Sequence, residues 1–481
     1  MRGYLASSIT VACAAALVLP LSLVSGALAS PSDGTPDVPG STRSLPLRPL
    51  GEVPSVRGRQ ASVQGLPAQD VEPFSLVGIV WEDEAAELDG TVEVRTRGIG
   101  SGTWSAWQEV ETHNEEHAAD PGTAESESGR VRGATVPLWV GASDGVEVRV
   151  RQADGGRADR LPEGMRLELV DPGDDPADTV TSGPGNEGSG NEDNEGNDGN
   201  EGNEGNDGNE GNEGNDGNED NEDNEGNQGN DGNEGNEGNE GSVGRAPAGG
   251  LGIPALNRMD TEAEAAAAGD LVLDPVTAKP YIGPRPGIVT RRGWGADESL
   301  REEGFVYTDS VKAAFVHHTA TGNDYTCSQA PAVIRSIYRY HVQSSGWRDI
   351  GYNFVVDKCG NIYEGRAGGV AEPVKGAHTF GFNTNSTGIA VLGTYGSSNP
   401  PSAAVTAVAK LTAWKLGLYG VNPKGKVTLT SAGSGKYAEG TKVRLNAISG
   451  HRDGFDTDCP GSRLYGKLGT ARTASAKYQG R

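Results

Sequence analysis

The chain has 481 residues, with 41 Lys+Arg against 67 Asp+Glu, a formal net charge of -26, 73 Gly, and only 34% hydrophobic and 6% aromatic residues. A single globular domain is excluded: residues 191–241 are Asn-led triplets with 19 acidic residues, no Lys or Arg, and no apolar side chain to offset the entropy of ordering. Residues 281–481 carry a surplus of 10 basic residues, so the first 280 carry -36.

Arg2 precedes an apolar stretch over residues 9–23, followed by Ala27-Leu28-Ala29, a small-x-small pattern that reads as a cleavable signal peptide over residues 1–29. Pro20 and the small residues after it suit the end of such a segment, and no basic stop-transfer cluster follows. The expectation is a secreted chain with no stable membrane anchor. Cys13 leaves with the leader, so Cys327, Cys359 and Cys459 remain of the 4 cysteines. An odd count in an exported chain asks for one pair and one thiol with another task.

Residues 30–70 are rich in Pro, Ser, Gly and Arg without periodicity and read as a flexible lead-in. Residues 71–172 contain short runs with a two-residue period, at 77–81, 92–95, 104–107 and 146–150, and no useful helical pattern. They predict an all-β, sandwich-like accessory domain that assembles no catalytic set. Its two histidines, His113 and His117, stand beside Glu115 and Glu116 in a polar stretch that could hold a metal but reads in preference as a solvated loop.

Residues 173–283 read as a disordered linker. The triplets are not collagen, since the NED triplets lack Gly and the run lacks Pro. Nor are they a stacked calcium-binding repeat, since nothing apolar recurs. Charge repulsion and Gly content favour an extended spacer, with a short helix across 263–268.

From residue 284 to 472 the pattern is that of a mixed α/β domain, a central sheet flanked by helices, leaving 473–481 as a tail. Buried strands are predicted at 313–316 and 388–392, and a hairpin at 352–356 and 362–364 turning on Asp357-Lys358-Cys359-Gly360. Amphipathic helices are predicted over 328–344 and 403–416. Five of the 7 histidines fall here. His317 and His318 end a strand, and His451 stands eight residues before Cys459. Two imidazoles and a thiolate from separate segments could make a three-ligand zinc set with one open position. Any one of these residues alone is equally explained as core.

The wider pattern resembles the peptidoglycan recognition protein superfamily, including the related phage lysozyme amidases. The resemblance spans about residues 284–472. It rests on Arg292-Gly293-Trp294-Gly295-Ala296, Phe315-Val316-His317-His318-Thr319-Ala320, Gly346-Trp347-Arg348-Asp349-Ile350-Gly351-Tyr352-Asn353-Phe354 and Tyr363-Glu364-Gly365-Arg366. It continues through Gly376-Ala377-His378, Asn385-Ser386-Thr387-Gly388-Ile389 and Gly450-His451-Arg452-Asp453, leading to Cys459-Pro460.

The resemblance implies a secreted or wall-associated amidase with one catalytic Zn2+, hydrolysing the amide between N-acetylmuramic acid and L-alanine in peptidoglycan. It gives His317, His451 and Cys459 as metal ligands. Tyr352 and Thr457 become catalytic hydroxyls, and His318, Asn353, Arg366 and His378 substrate-side residues. His341 reads as core or rim. With Cys459 assigned to the metal, Cys327 and Cys359 are left as the expected disulfide. The Ala367-Gly368-Gly369 that follows Arg366 departs from the Gly-Trp common in relatives, which removes a basis for inferring stem-peptide preference. The expected partners are peptidoglycan and, through the basic C-terminal surplus, anionic wall polymers, with no nucleic acid. The competing reading is a non-catalytic or weakly catalytic peptidoglycan-binding protein of the cell wall.

Overall fold

The computed structural model describes residues 40–54, 60–114, 116–152, 161–175 and 250–481. The expected signal peptide and the acidic triplets lie outside the described residues. The N-terminal part holds β1 (Ser41–Pro46), β2 (Arg48–Pro54), β3 (Gln60–Trp81), β4 (Gly90–Gly98), β5 (Gln108–Val110), β6 (Gly133–Ala134), β7 (Leu138–Gln152) and β8 (Arg166–Asp171). The C-terminal part opens with β9 (Gly252–Ile253), α1 (Arg258–Ala268), β10 (Ile288–Val289), β11 (Ala313–His318), α2 (Ala330–Arg339), β12 (Phe354–Val356), β13 (Ile362–Glu364) and β14 (Ser386–Val391). It closes with α3 (Ser402–Leu418), β15 (Lys426–Thr430), β16 (Lys442–Asn446), β17 (Ile448–Gly450), α4 (His451–Gly454), α5 (Ser462–Tyr465) and α6 (Leu468–Gln479). The all-β N-terminal and mixed α/β C-terminal classes are those expected.

Hydrogen bonds join β1–β8 into one 8-stranded sheet of order β1-β8-β3-β7-β4-β5, with β2 and β6 also on β3. The 22-residue β3 serves several partners because its pairing with β7 shifts register between Leu66 and Gln69 and again between Asp70 and Phe74. Such bulges bend a strand and re-aim its side chains. Val77, Ile79 and Trp81 point into the domain's own core with Val92, Val148 and Leu167. Leu76 and Val80, on the other face, join Trp139 and Val170 in a second core shared with Ile334, Ile337 and Tyr340 of the C-terminal part. Both faces of the strand are therefore covered, as a near-continuous apolar run over 74–81 requires.

Gly78 makes that contact possible. A Cβ at this position would lie 2.4 Å from the Tyr340 ring, whose hydroxyl donates to the carbonyl oxygens of Thr135 and Ile79 at 3.0 and 3.2 Å.

The C-terminal sheet has the order β17-β11-β14-β12-β13-β10-β9. β11 runs parallel to both β14 and β17, and β12 is parallel to β14 and antiparallel to β13, as the predicted hairpin requires. Val316, Ile389, Val391, Phe354 and Val356 face α3 and α6, while Val355, Ala390 and Leu392 face α2. Cys327, just ahead of α2, is bonded to Cys359 in the hairpin turn, with Cα atoms 6.2 Å apart and a sequence separation of 32.

Four segments depart from the sequence reading. Residues 41–54 and 60–70 are strands, not a flexible lead-in; β1 and β2 carry prolines because they sit at sheet edges, where a missing N–H is tolerated. Residues 250–283 are not linker. β9 pairs with β10, and α1 is capped by Asn257 and Gly269 and buries Ala265 in the core beside Ile282. The tail 473–481 is the end of α6 through Gln479, whose side-chain amide donates to the carbonyl of Ala413 at 3.0 Å. The stretch 104–107 makes only an isolated bridge at Trp104, and Trp107 lies under the guanidinium of Arg149 at 4.0 Å. No helix among the described residues is long and apolar enough to cross a membrane.

The disulfide gives a direct test. A chain lacking residues 1–29, unfolded without reductant, should show one reactive thiol, and three after reduction; three before reduction would contradict the pairing. Replacing both Cys327 and Cys359 by Ala should lower unfolding free energy by about 3–4 kcal/mol through loop-closure entropy, read by denaturant titration.

Candidate metal centre

The register of the central strands assembles the site. Val316 of β11 lies opposite Gly450 of the parallel β17, so the next residues, His317 and His451, leave adjacent strands side by side, with ring centroids 4.5 Å apart. Strand ends of this kind form the ligand rim of open α/β sheets. Cys459 is folded back onto this rim: the Arg452 N–H donates to the Cys459 carbonyl at 3.0 Å, and the Cys459 N–H donates to Thr457 Oγ1 at 3.1 Å. Its Sγ lies 3.7 Å from His317 Nδ1.

A fourth donor arrives from the N-terminal part. His117 Nε2 lies 3.8 Å from Cys459 Sγ, and the donor atoms of His117, His317, His451 and Cys459 all fall within 4.8 Å of one another, every residue buried. With zinc–sulfur and zinc–nitrogen bonds of about 2.3 and 2.0–2.1 Å, tetrahedral geometry separates sulfur from nitrogen by about 3.6 Å. The observed separations suit such an ion.

The outer nitrogens support the same assignment. His451 Nε2 faces the carbonyl oxygen of Glu116 at 3.1 Å and therefore carries the proton. His451 Nδ1 is buried with no hydrogen-bond partner. His317 turns Nε2 to Thr379 Oγ1 at 3.4 Å, which leaves Nδ1 toward Cys459. Partners of this kind fix ring orientation and tautomer around a metal. Burial, reinforced for His317 and His451 by neighbouring histidines, depresses all three imidazoles, His117 to about 3, and holds them in the neutral form that ligates. Burial pushes the Cys459 thiol up; a bound cation reverses that tendency, since a coordinated thiol is deprotonated.

Between β5 and β6, residues 111–114 and 116–132 carry His117 and lie across the rim. Glu116 accepts from Thr457 Oγ1 at 2.9 Å, and its carbonyl accepts from the Phe380 N–H at 2.9 Å. Asp120 Oδ1 accepts from the N–H groups of Gly381 and Asn383 at 3.0 and 3.1 Å and from Asn383 Nδ2 at 2.8 Å. Lys375 Nζ stands 3.1 Å from the other oxygen of Asp120. Glu125 takes a bidentate pair of bonds from Arg366, at 2.8 and 2.9 Å. Burial would raise the Glu125 carboxyl, but Arg366 and the Arg348 N–H outweigh it, and the net shift is downward.

The sequence-derived residues fall into three groups. His317, His451 and Cys459 converge as described. Tyr352 stands beside them, its ring centroid 5.5 Å from that of His317 and 5.9 Å from that of His117, and Thr457 is bonded to Glu116. The substrate-side expectations fare differently. Asn353 is spent on the backbone: Oδ1 accepts from the Gly388 N–H at 2.8 Å and Nδ2 donates to the Val374 carbonyl at 2.9 Å. His378 is fully buried behind His317, ring centroids 5.3 Å apart, in space that a Cβ on Gly388 would occupy. His318 is half-buried and accepts from the Tyr395 N–H at 3.2 Å. Arg366 is engaged by Glu125 and by the Ile350 carbonyl. His341 is core, as read, stacked on Trp347 at 4.3 Å.

His117 is the functional residue that the sequence misplaced. Its solvated-loop reading fails because the residue is only 4% exposed, packed against another domain; His113, four residues earlier, is exposed. No local periodicity marks the difference, since the partners of His117 lie some 200–340 residues away.

Comparison with known proteins adds two family matches. Residues 31–179 match a family model described as Rv3811 N-terminal galactose-binding domain-like, and residues 307–462 match one described as N-acetylmuramoyl-L-alanine amidase. The chain is similar to peptidoglycan-recognition protein SC2 of Drosophila simulans, 31% identical over 185 residues, covering 38% of this chain and 85% of that protein. It is also similar to the Homo sapiens N-acetylmuramoyl-L-alanine amidase, 33% identical over 189 residues, covering 38% of this chain and 28% of the human one. Among solved structures, wild-type Drosophila PGRP-LB is 25% identical, covering 38% of this chain and 92% of its own, with a TM-score of 0.31.

The Arg366–Glu125 pair makes a stability prediction. Arg366→Ala strands a buried carboxylate and should cost about 3–5 kcal/mol, part of which the double variant Arg366→Ala/Glu125→Ala recovers, both read by denaturant titration. Because the Glu125 carboxyl is depressed in the folded state, the contribution is present above the ordinary carboxylate range and is lost as pH falls through the folded value.

Proposed function

This chain belongs to the peptidoglycan-recognition protein family through its C-terminal domain, and on that premise we propose that it is a secreted, zinc-dependent N-acetylmuramoyl-L-alanine amidase acting on the cell wall. The observation that carries the reading is the convergence of His317, His451 and Cys459 beside Tyr352 at one strand rim. Held there, a zinc ion would supply Lewis acidity to the amide carbonyl and acidify a water toward a pKa of about 7.

The chain's own groups do the rest. Burial, with Cys459 and Glu116 nearby, raises Tyr352 well above the usual tyrosine range, so its hydroxyl stays protonated and can donate to the oxygen that gains charge as the amide carbonyl is attacked. Thr457 adds a neutral donor without a charge. Thr379 holds the outer nitrogen of His317 and so fixes its lone pair. Arg366 offers the planar fork that suits a stem-peptide carboxylate, and the basic surplus of the C-terminal half favours anionic wall polymers at low salt.

A second reading, a peptidoglycan-binding protein with a purely structural metal, is favoured by one observation. The fourth donor, His117, closes the coordination set, and closed sets are characteristic of structural zinc.

Zinc-loaded protein incubated at length with purified wall should generate new L-alanine N-termini, identified by mass spectrometry of the released muropeptides. Cys459→Ala should abolish the release while wall sedimentation remains measurable. Tyr352→Phe should slow it about 10²–10³-fold; an unchanged rate would refute the oxyanion role.

A further inference from the structure

We infer that residues 111–132 form an intramolecular plug that holds the amidase latent, with His117 filling the coordination position that catalysis must leave open. The inference rests on the amidase reading above and adds its regulation. A catalytic zinc site keeps one place for water or substrate. Here that place faces His117 Nε2, 3.8 Å from Cys459 Sγ, on a ring 4.6 Å from that of His451.

The plug occupies the substrate-side groups as well. Glu116 takes the hydroxyl of Thr457, and Glu125 takes both terminal nitrogens of Arg366. Carboxylates thus lie on the donors that a carboxylate-bearing peptide would use, and Asp120 pins the segment through three N–H bonds and Lys375. The four donors and Tyr352 are all buried. A cavity of about 740 Å³ between the two domains is lined by Asn114, Ala119, Glu125, Trp347 and Phe455 among others, but by none of the four metal donors and not by Tyr352.

The segment is built to leave. No strand or helix lies between Val110 and Gly133 among the described residues, and structureless stretches beyond about 12–15 residues are commonly functional loops. None of its residues belongs to the apolar core that docks the two domains, which is made by Leu76, Val80, Ala134, Trp139 and Val170 on the N-terminal side. The plug can therefore lift while the domains stay joined. A plug closed 99 times in 100 would lower hydrolysis about 100-fold.

The test uses the full chain in three forms: wild type, His117→Ala, and Asp120→Ala, which keeps every metal donor but removes the contacts to Gly381, Asn383 and Lys375. With cobalt(II) in place of zinc, the visible spectrum of the wild type should not change on adding acetohydroxamate, whereas both variants should shift. His117→Ala should also lose zinc to a chelating dye about tenfold faster, and both variants should release L-alanine N-termini from wall about tenfold or more faster than wild type.

A wild-type spectrum that shifts as readily as those of the variants, with no gain in hydrolysis by either, overturns the plug and leaves the amidase reading intact. Expected spectra with no release by any of the three proteins overturn the amidase reading and keep His117 as a ligand. Should His117→Ala not fold, judged by circular dichroism, the spectrum and rate of Asp120→Ala decide the matter alone.

Discussion

The outer face of the N-terminal sheet is apolar, and the architecture depends on what covers it. Leu76, Val80 and Val170 are fully buried against Ile334, Ile337 and Tyr340, each contributing about 1.5–3 kcal/mol relative to exposure in water. The Tyr340 hydroxyl adds direction to this otherwise unspecific attraction, because only one register sets it against the Thr135 and Ile79 carbonyls. With that register fixed, the segment between β5 and β6 has one place to go, across the strand rim of the second domain. Metal-centre geometry is thus a consequence of docking two domains.

Across the rim the interaction changes from apolar to ionic. Glu116, Asp120 and Glu125 enter a surface whose donors are Thr457, Asn383, Lys375 and Arg366. Desolvating carboxylates is expensive, and each is compensated differently: Asp120 by three N–H groups, Glu125 by a bidentate guanidinium. Glu116 is compensated least, since one of its carboxylate oxygens is buried without a partner and burial raises its pKa. Buried polar pairs of this kind contribute more to specificity of docking than to net stability. They make the plug's fit exact in geometry yet separable from the apolar core, an arrangement suited to a contact that must both form and release.

Much of the C-terminal domain was legible in the sequence because its signals are local. The β-strands around His317 and Ile389 are apolar runs buried on both faces, and the hairpin turn at Asp357 carries its own turn chemistry. The family motifs single out His317, His451 and Cys459, which the fold brings together at one rim. The misreadings share a cause. Prolines in β1 and β2 signify sheet edges as well as loops, and α1 is short and polar enough to pass for linker until Ala265 meets Ile282. Asn353 and Arg366 sit in recognisable motifs, yet their side chains are committed to the backbone and to Glu125.

The sequence by itself determined the division into an all-β and an α/β part, the three candidate donors that meet at the C-terminal rim, and the disulfide that leaves Cys459 free. Those follow from periodicity and motif, which a chain carries in neighbouring residues. Only the tertiary structure decided that the two parts share a core and that the loop histidine at 117 joins the three as a fourth candidate donor. It also decided that Arg366 meets an internal carboxylate. The physical reason is that periodicity records that a face is buried but not what buries it, and a ligand from another domain is specified by contacts hundreds of residues apart.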